Sequence, residues 1–100
     1  MNINVNELRT VTTKLLDWVE EYQGSNIDVS VDYYWNIPGN QVYNLSHEPV
    51  NFDVGQISDD WQELRKLLDE NRLPIQYQLI WLSALFRAIG EYEVQQHVDC

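Results

Sequence analysis

The stretch Ile27-Asp28-Val29-Ser30-Val31-Asp32-Tyr33-Tyr34-Trp35 decides how this chain is read. Its apolar residues fall at every second position. Ile27, Val29, Val31, Tyr33 and Trp35 therefore share one face of a strand, and Asp28, Ser30, Asp32 and Tyr34 share the other. A strand with one apolar and one wet face belongs to an antiparallel sheet. On its C-terminal side, Ile37-Pro38-Gly39-Asn40 fits a type II turn, with proline fixing one φ and glycine supplying a positive one. A second strand is expected to return over Gln41 to Leu45. After the break at Pro49, Val50, Phe52 and Val54 alternate with Asn51 and Asp53 and predict a third.

Helices flank this sheet. On the N-terminal side Asn4 is placed to cap a helix, with Glu7 at the capping-box position and Ile3 and Leu8 spaced as a hydrophobic staple. Leu8, Val11, Leu15, Trp18 and Tyr22 recur in steps of three and four, which makes one apolar stripe, and Gly24 is a natural stop. Beyond the sheet, Ser58 is the expected cap of a second helix. Asp59, Asp60 and Glu63 stand where its dipole favours negative charge, and Arg65, Lys66 and Arg72 stand toward its positive-preferring end. Trp61, Leu64, Leu67 and Leu68 form its apolar side. Pro74 opens a third helix, whose stripe of Ile75, Leu79, Leu82, Phe86 and Ile89 is widened by Ile80, Trp81, Ala84, Leu85 and Ala88, and Gly90 is expected to end it. A helix apolar on nearly every side is central, or meets another chain. The fold class is thus α+β in the order α-β-β-β-α-α, a short antiparallel three-stranded meander with helices packed on one face. One hundred residues make a single domain, with residues 91–100 expected as a polar tail, mobile or weakly helical.

Composition narrows the function. Sixteen acids against six bases give a net charge of −10. That charge opposes binding to nucleic acid or anionic membrane, which depends on Lys and Arg, and it either steers a basic protein partner or only keeps the chain soluble. The lone cysteine, Cys100, cannot form an internal disulfide. The N-terminus lacks the basic and apolar regions of a signal peptide, and the apolar run from Ile75 to Ile89 is shorter than a membrane span, so a cytoplasmic location is expected.

Catalytic constellations are sparse. Asp28 and Asp32 share a strand face, but four residues along a strand span about 13 Å, too far for a carboxylate pair. Asp59-Asp60 reads as helix-capping charge. His47 sits in a loop, and His97-Val98-Asp99-Cys100 lacks the paired ligand spacing of a structural zinc site. No metal site, cofactor or enzyme activity is expected, although acids together with His47 leave a small metal-dependent enzyme as a remote alternative. Tyr33 and Trp35 are expected in the core. Tyr34, outward beside Asp28 and Asp32, is the expected anchor of an acidic-aromatic strip that binds a partner. The broad apolar surface of the third helix offers a second route, homo-oligomer formation.

The run Asp32-Tyr33-Tyr34-Trp35-Asn36-Ile37-Pro38, continued by Glu48-Pro49 and by Gly55-Gln56-Ile57-Ser58-Asp59-Asp60-Trp61, resembles small stand-alone bacterial proteins of unknown function. In size, acidity and single-domain build the chain is also similar to the immunity proteins that neutralise bacterial toxins. That likeness implies a non-enzymatic protein that blocks a basic toxin.

Overall fold

The computed structural model describes residues 1–50, 52–69 and 75–94. The expectations placed on Asn51, Arg72, Pro74 and His97-Val98-Asp99-Cys100 lie outside these residues. The described chain is α+β, with four α-helices and a two-stranded antiparallel sheet among its described residues. It divides into two compact units. One comprises Met1–Ser30 and the segment from Ile89 onward, the other Val31–Ala88.

In the first unit, α1 spans Val5–Gln23 between the two expected punctuation marks. Asn4 Oδ1 accepts from the Glu7 amide at 3.0 Å and the Asn4 carbonyl accepts from Leu8 N, satisfying donors that a helix start leaves open. At the other end Gly24 adopts φ 88°, a conformation costly for any residue with a Cβ, and its amide bonds the Glu20 carbonyl. The stripe of Leu8, Val11, Leu15, Trp18 and Tyr22 is exposed. The C-terminal segment of this unit corrects the expected stop at Gly90. A π-helical turn, Ile89–Glu93, takes Gly90 into its interior. Its last residue is tied on both sides: Gln23 Nε2 donates to the Glu93 carbonyl at 2.7 Å, and Ser30 N and Oγ both donate to Glu93 Oε2 at 2.8 Å.

The second unit holds the sheet, and here the expected meander is corrected. Strand β1 is Tyr33–Asn36 and β2 is Asp53–Gln56, paired antiparallel with Tyr33 opposite Gln56, Tyr34 opposite Gly55, Trp35 opposite Val54 and Asn36 opposite Asp53. The expected middle strand, Gln41 to Leu45, is instead the short helix α2, Gly39–Val42, and the turn after it. Pro38 supplies the reason, because its carbonyl accepts from both Gln41 N and Val42 N and closes a helical turn where a type II turn was expected. Gly39 does not take the positive φ that such a turn requires. The Gln41 side chain then accepts from Val50 N at 2.8 Å, which fixes the return of the chain toward β2.

Strand β1 is also shorter than the period-two run, and β2 explains this. β2 ends at Gln56 and α3, Ile57–Arg65, begins with the next residue. The last cross-link, Ile57 N to the Asp32 carbonyl at 2.6 Å, belongs to that transition. Residues before Asp32 therefore have no β2 residue to pair with. After α3 come a 3₁₀ turn, Lys66–Leu68, and then α4, Gln76–Ala88. α3 packs on α4, and among the described residues the buried apolar side chains are Ile57 and Leu64 of α3 and Ala88 of α4. No helix among the described residues is long and apolar enough to cross a membrane.

Candidate functional site

The two faces of the β1–β2 pair differ in kind, and their assignment reverses the sequence expectation. Ile27, Val29 and Val31 are half-buried while Asp28 and Ser30 are exposed, so the period-two pattern holds up to Val31. The phase slips at Asp32, which is half-buried like Val31 before it. From there the even-numbered position, Tyr34, is half-buried and its odd-numbered neighbours are exposed. A shift of one residue exchanges the faces of everything beyond it. Tyr33 and Trp35, expected in the core, are each 68% exposed.

The cause is the job Asp32 does. No side chain at the Gln56 N-cap position bonds the start of α3. Asp32 does so from β1's side of the ladder. Its Oδ1 accepts from Ser58 N at 2.8 Å, and its Oδ2 accepts from Gln56 Nε2 at 2.8 Å and from Ser58 Oγ at 3.3 Å. These bonds, the one from Gln56 foremost and the Ser58 amide next, hold the Asp32 carboxyl below its ordinary pKa. The expected cap, Ser58, is thus a donor to the real one, which lies 26 residues earlier in the chain.

Two residues on, Tyr34 lies across its strand partner Gly55. A Cβ at position 55 would sit closer than van der Waals contact to the Tyr34 ring, 2.6 Å from Cε1 and 2.5 Å from Oη. Glycine here is a condition for the tyrosine's position. The Tyr34 hydroxyl reaches over it and donates to Asp60 Oδ2 at 2.5 Å. Asp60 is only 7% exposed, so this is a charge-assisted bond in a shielded place. Burial pushes the Asp60 carboxyl above its ordinary pKa, the negative charges of Asp59 and Asp32 push the same way, and the Tyr34 bond opposes them. Burial, and then Asp60 itself, likewise push the Tyr34 hydroxyl up.

Asp32 and Tyr34 are therefore brought together, but as the internal frame of the β2–α3 junction. Asp28 belongs to the other unit and lies outside the strand. Sequence reading missed Asp60, although Ile57, Asp60 and Leu64 recur at helical spacing and all three are buried.

The outer face carries the other chemistry. Trp35 and Phe52 meet edge to face, with ring centroids 5.0 Å apart and an interplanar angle of 87°, the geometry that aromatic quadrupoles prefer. Val54 stands opposite Trp35 in the register, and Gln56 Nε2 also donates to the Tyr33 hydroxyl at 3.3 Å. Tyr33, Trp35, Phe52 and Val54 are all exposed.

No family model matches the chain, and neither a curated protein nor a solved structure matches it. The site must be read from its own chemistry. Among the described residues no group of three or more His, Cys, Asp or Glu side chains is arranged to hold a metal ion. What the outer face does offer is an exposed aromatic surface on an acidic chain. Exposed ring faces attract Arg and Lys, and a net charge of −10 adds a long-range field of the same preference.

Proposed function

We propose that the chain is a non-enzymatic, cytoplasmic protein-binding domain for a basic protein, and that it acts as an immunity protein, neutralising a bacterial toxin by occlusion. The reading rests on the exposed cluster of Tyr33, Trp35, Phe52 and Val54 on one face of β1–β2. Aromatic anchors that hold their position without a ligand lose little entropy on binding and dominate interface energetics. The surrounding acidity would raise the association rate and select against acidic competitors. In this reading Tyr34 and Asp32 act indirectly, by holding the strand pair on which the anchors stand, and Asp28 contributes only to the overall field.

Titration calorimetry against the basic product of a neighbouring gene tests this. Trp35→Ala is expected to weaken binding about tenfold or more, the loss typical of a central anchor. Raising the salt concentration should weaken the wild-type complex by slowing association. An affinity unchanged by Trp35→Ala would reject this surface, and an affinity unchanged by salt would reject the basic partner.

A further inference from the structure

The direction of the hydrogen bonds in the β1–β2 ladder determines which backbone groups of β1 stay open. Ile57 N donates to the Asp32 carbonyl, one step before the pair Tyr33–Gln56. Bonded and non-bonded pairs alternate along an antiparallel ladder. Tyr34 and Asn36 therefore exchange bonds with Gly55 and Asp53, and the N–H and C=O groups of Tyr33 and Trp35 point away from β2. Among the described residues no third strand takes them up. Proteins usually blunt such an edge with lysine, proline or a bulge. Tyr33–Asn36 has no charge and no proline, and its register to β2 runs without a bulge. The two residues with open backbone groups are also the two whose rings are exposed. On β2 the residues facing its own outer edge, Val54 and Gln56, offer no ring. Charge in this part of the chain is one-sided. No Lys or Arg occurs between Lys14 and Arg65, whereas Asp32, Glu48, Asp53, Asp59 and Glu63 all fall in the same unit as the strand pair.

We propose that the open edge of β1 takes up an extended basic segment of the partner as a third, antiparallel strand, an inference that rests on the aromatic-face reading above and adds the conformation and residue pattern of what binds there. The edge specifies a strand, because an extended backbone presents N–H and C=O groups at the spacing of Tyr33 and Trp35. Antiparallel pairing continues the existing ladder and is the more stable of the two senses. The rings and the acidic surroundings specify the charge. Residues directly opposite each other in an antiparallel pair share a face, so the segment's residues across from Tyr33 and Trp35 lie beside the two rings. Arginine or lysine at these alternate positions meets ring faces within a negative field. Those same residues point their own N–H groups at β1. Tyr33 and Trp35 each offer one donor and one acceptor, so the backbone pairing is short and the basic side chains supply the remainder of the affinity. A second copy of this chain suits the edge poorly, because it would bring its own carboxylates against these.

The test uses the full, unaltered chain and a short capped peptide of alternating arginine and valine, with amide exchange read by NMR. In the free chain the Tyr33 and Trp35 amides should exchange readily. The peptide should slow both by about tenfold or more, and should change Tyr34 and Asn36, already bonded to β2, far less. N-methylation of the peptide's arginine amides removes the donors that face β1 and should weaken binding about tenfold or more. N-methylation of the valine amides, which face away, should leave binding within about twofold. Tyr33 and Trp35 amides already protected in the free chain would overturn the proposal, because the edge is then occupied. So would a peptide that leaves them unprotected, or an alternating glutamate and valine peptide that binds as well. Equal tolerance of the two methylation patterns, with binding still lost in Trp35→Ala, would overturn strand addition while leaving the aromatic face as the binding surface. Calorimetry with the neighbouring gene's product judges that face independently, so the two failures are separately visible.

Discussion

Tyr34 is held in place by what it lacks on one side and finds on the other: no Cβ at Gly55, and a buried carboxylate at Asp60. Removing the hydroxyl alone leaves that carboxylate without this donor. Tyr34→Phe is therefore expected to destabilise the fold by about 1–3 kcal/mol, read from urea denaturation. Asp60→Asn should cost much less, because the amide can still pair with Tyr34 and no longer places a buried charge beside Asp59 and Asp32. The same residues fix a pH dependence. Asp60 has a raised pKa in the folded chain, so the folded state binds more protons than the unfolded one between the ordinary value, 3.8, and that raised value. Stability must then rise as pH falls through this window. Asp32 has a lowered pKa, so its contribution is present above 3.8 and is lost as pH falls below it. Denaturation midpoints followed with pH should peak on the mildly acidic side, and Asp60→Asn should flatten the rise from neutral pH toward that peak. The inward turn of Tyr34 was hidden in the sequence because the period-two run passes through Asp32 without a visible break. Asp60 was legible from its spacing to Ile57 and Leu64, but two adjacent acids at a helix start read more simply as capping charge.

At the scale of elements, the strand pair and α3 form one device. A two-stranded ribbon alone is marginal in water. Here Asp32 takes the first amides of α3 and Tyr34 takes its Asp60, so ribbon and helix support each other. Gly55→Ala tests this coupling. The added methyl must push the Tyr34 ring off Asp60, and a cost of about 1–3 kcal/mol is expected, with little further loss when Tyr34→Phe is added. Additive losses would show that the two positions act independently. Helix α1 was readable to its ends because both of its signals, Asn4 and Gly24, act within a few residues. The meander was not. Its middle strand depended on whether Pro38 opened a type II turn or a helical one, and local composition permits both. The cap of α3 depended on a residue 26 positions away, which no local pattern contains.

For the whole molecule, charge and exposed apolar surface together define the account. Under the proposed function the negative charge favours a basic partner on the aromatic face of β1–β2, and added salt is expected to weaken that association. The α+β class and the acidity were legible from composition and periodicity. Which aromatics face outward was not, because that turns on one residue of phase at Asp32. The most direct measurement is amide hydrogen exchange of the chain alone and in complex with the basic product of a neighbouring gene. New protection concentrated at Tyr33–Asn36 and Phe52–Gln56 is predicted. Protection confined to α1 or α4, with the strand pair exchanging as in the free chain, would contradict the account.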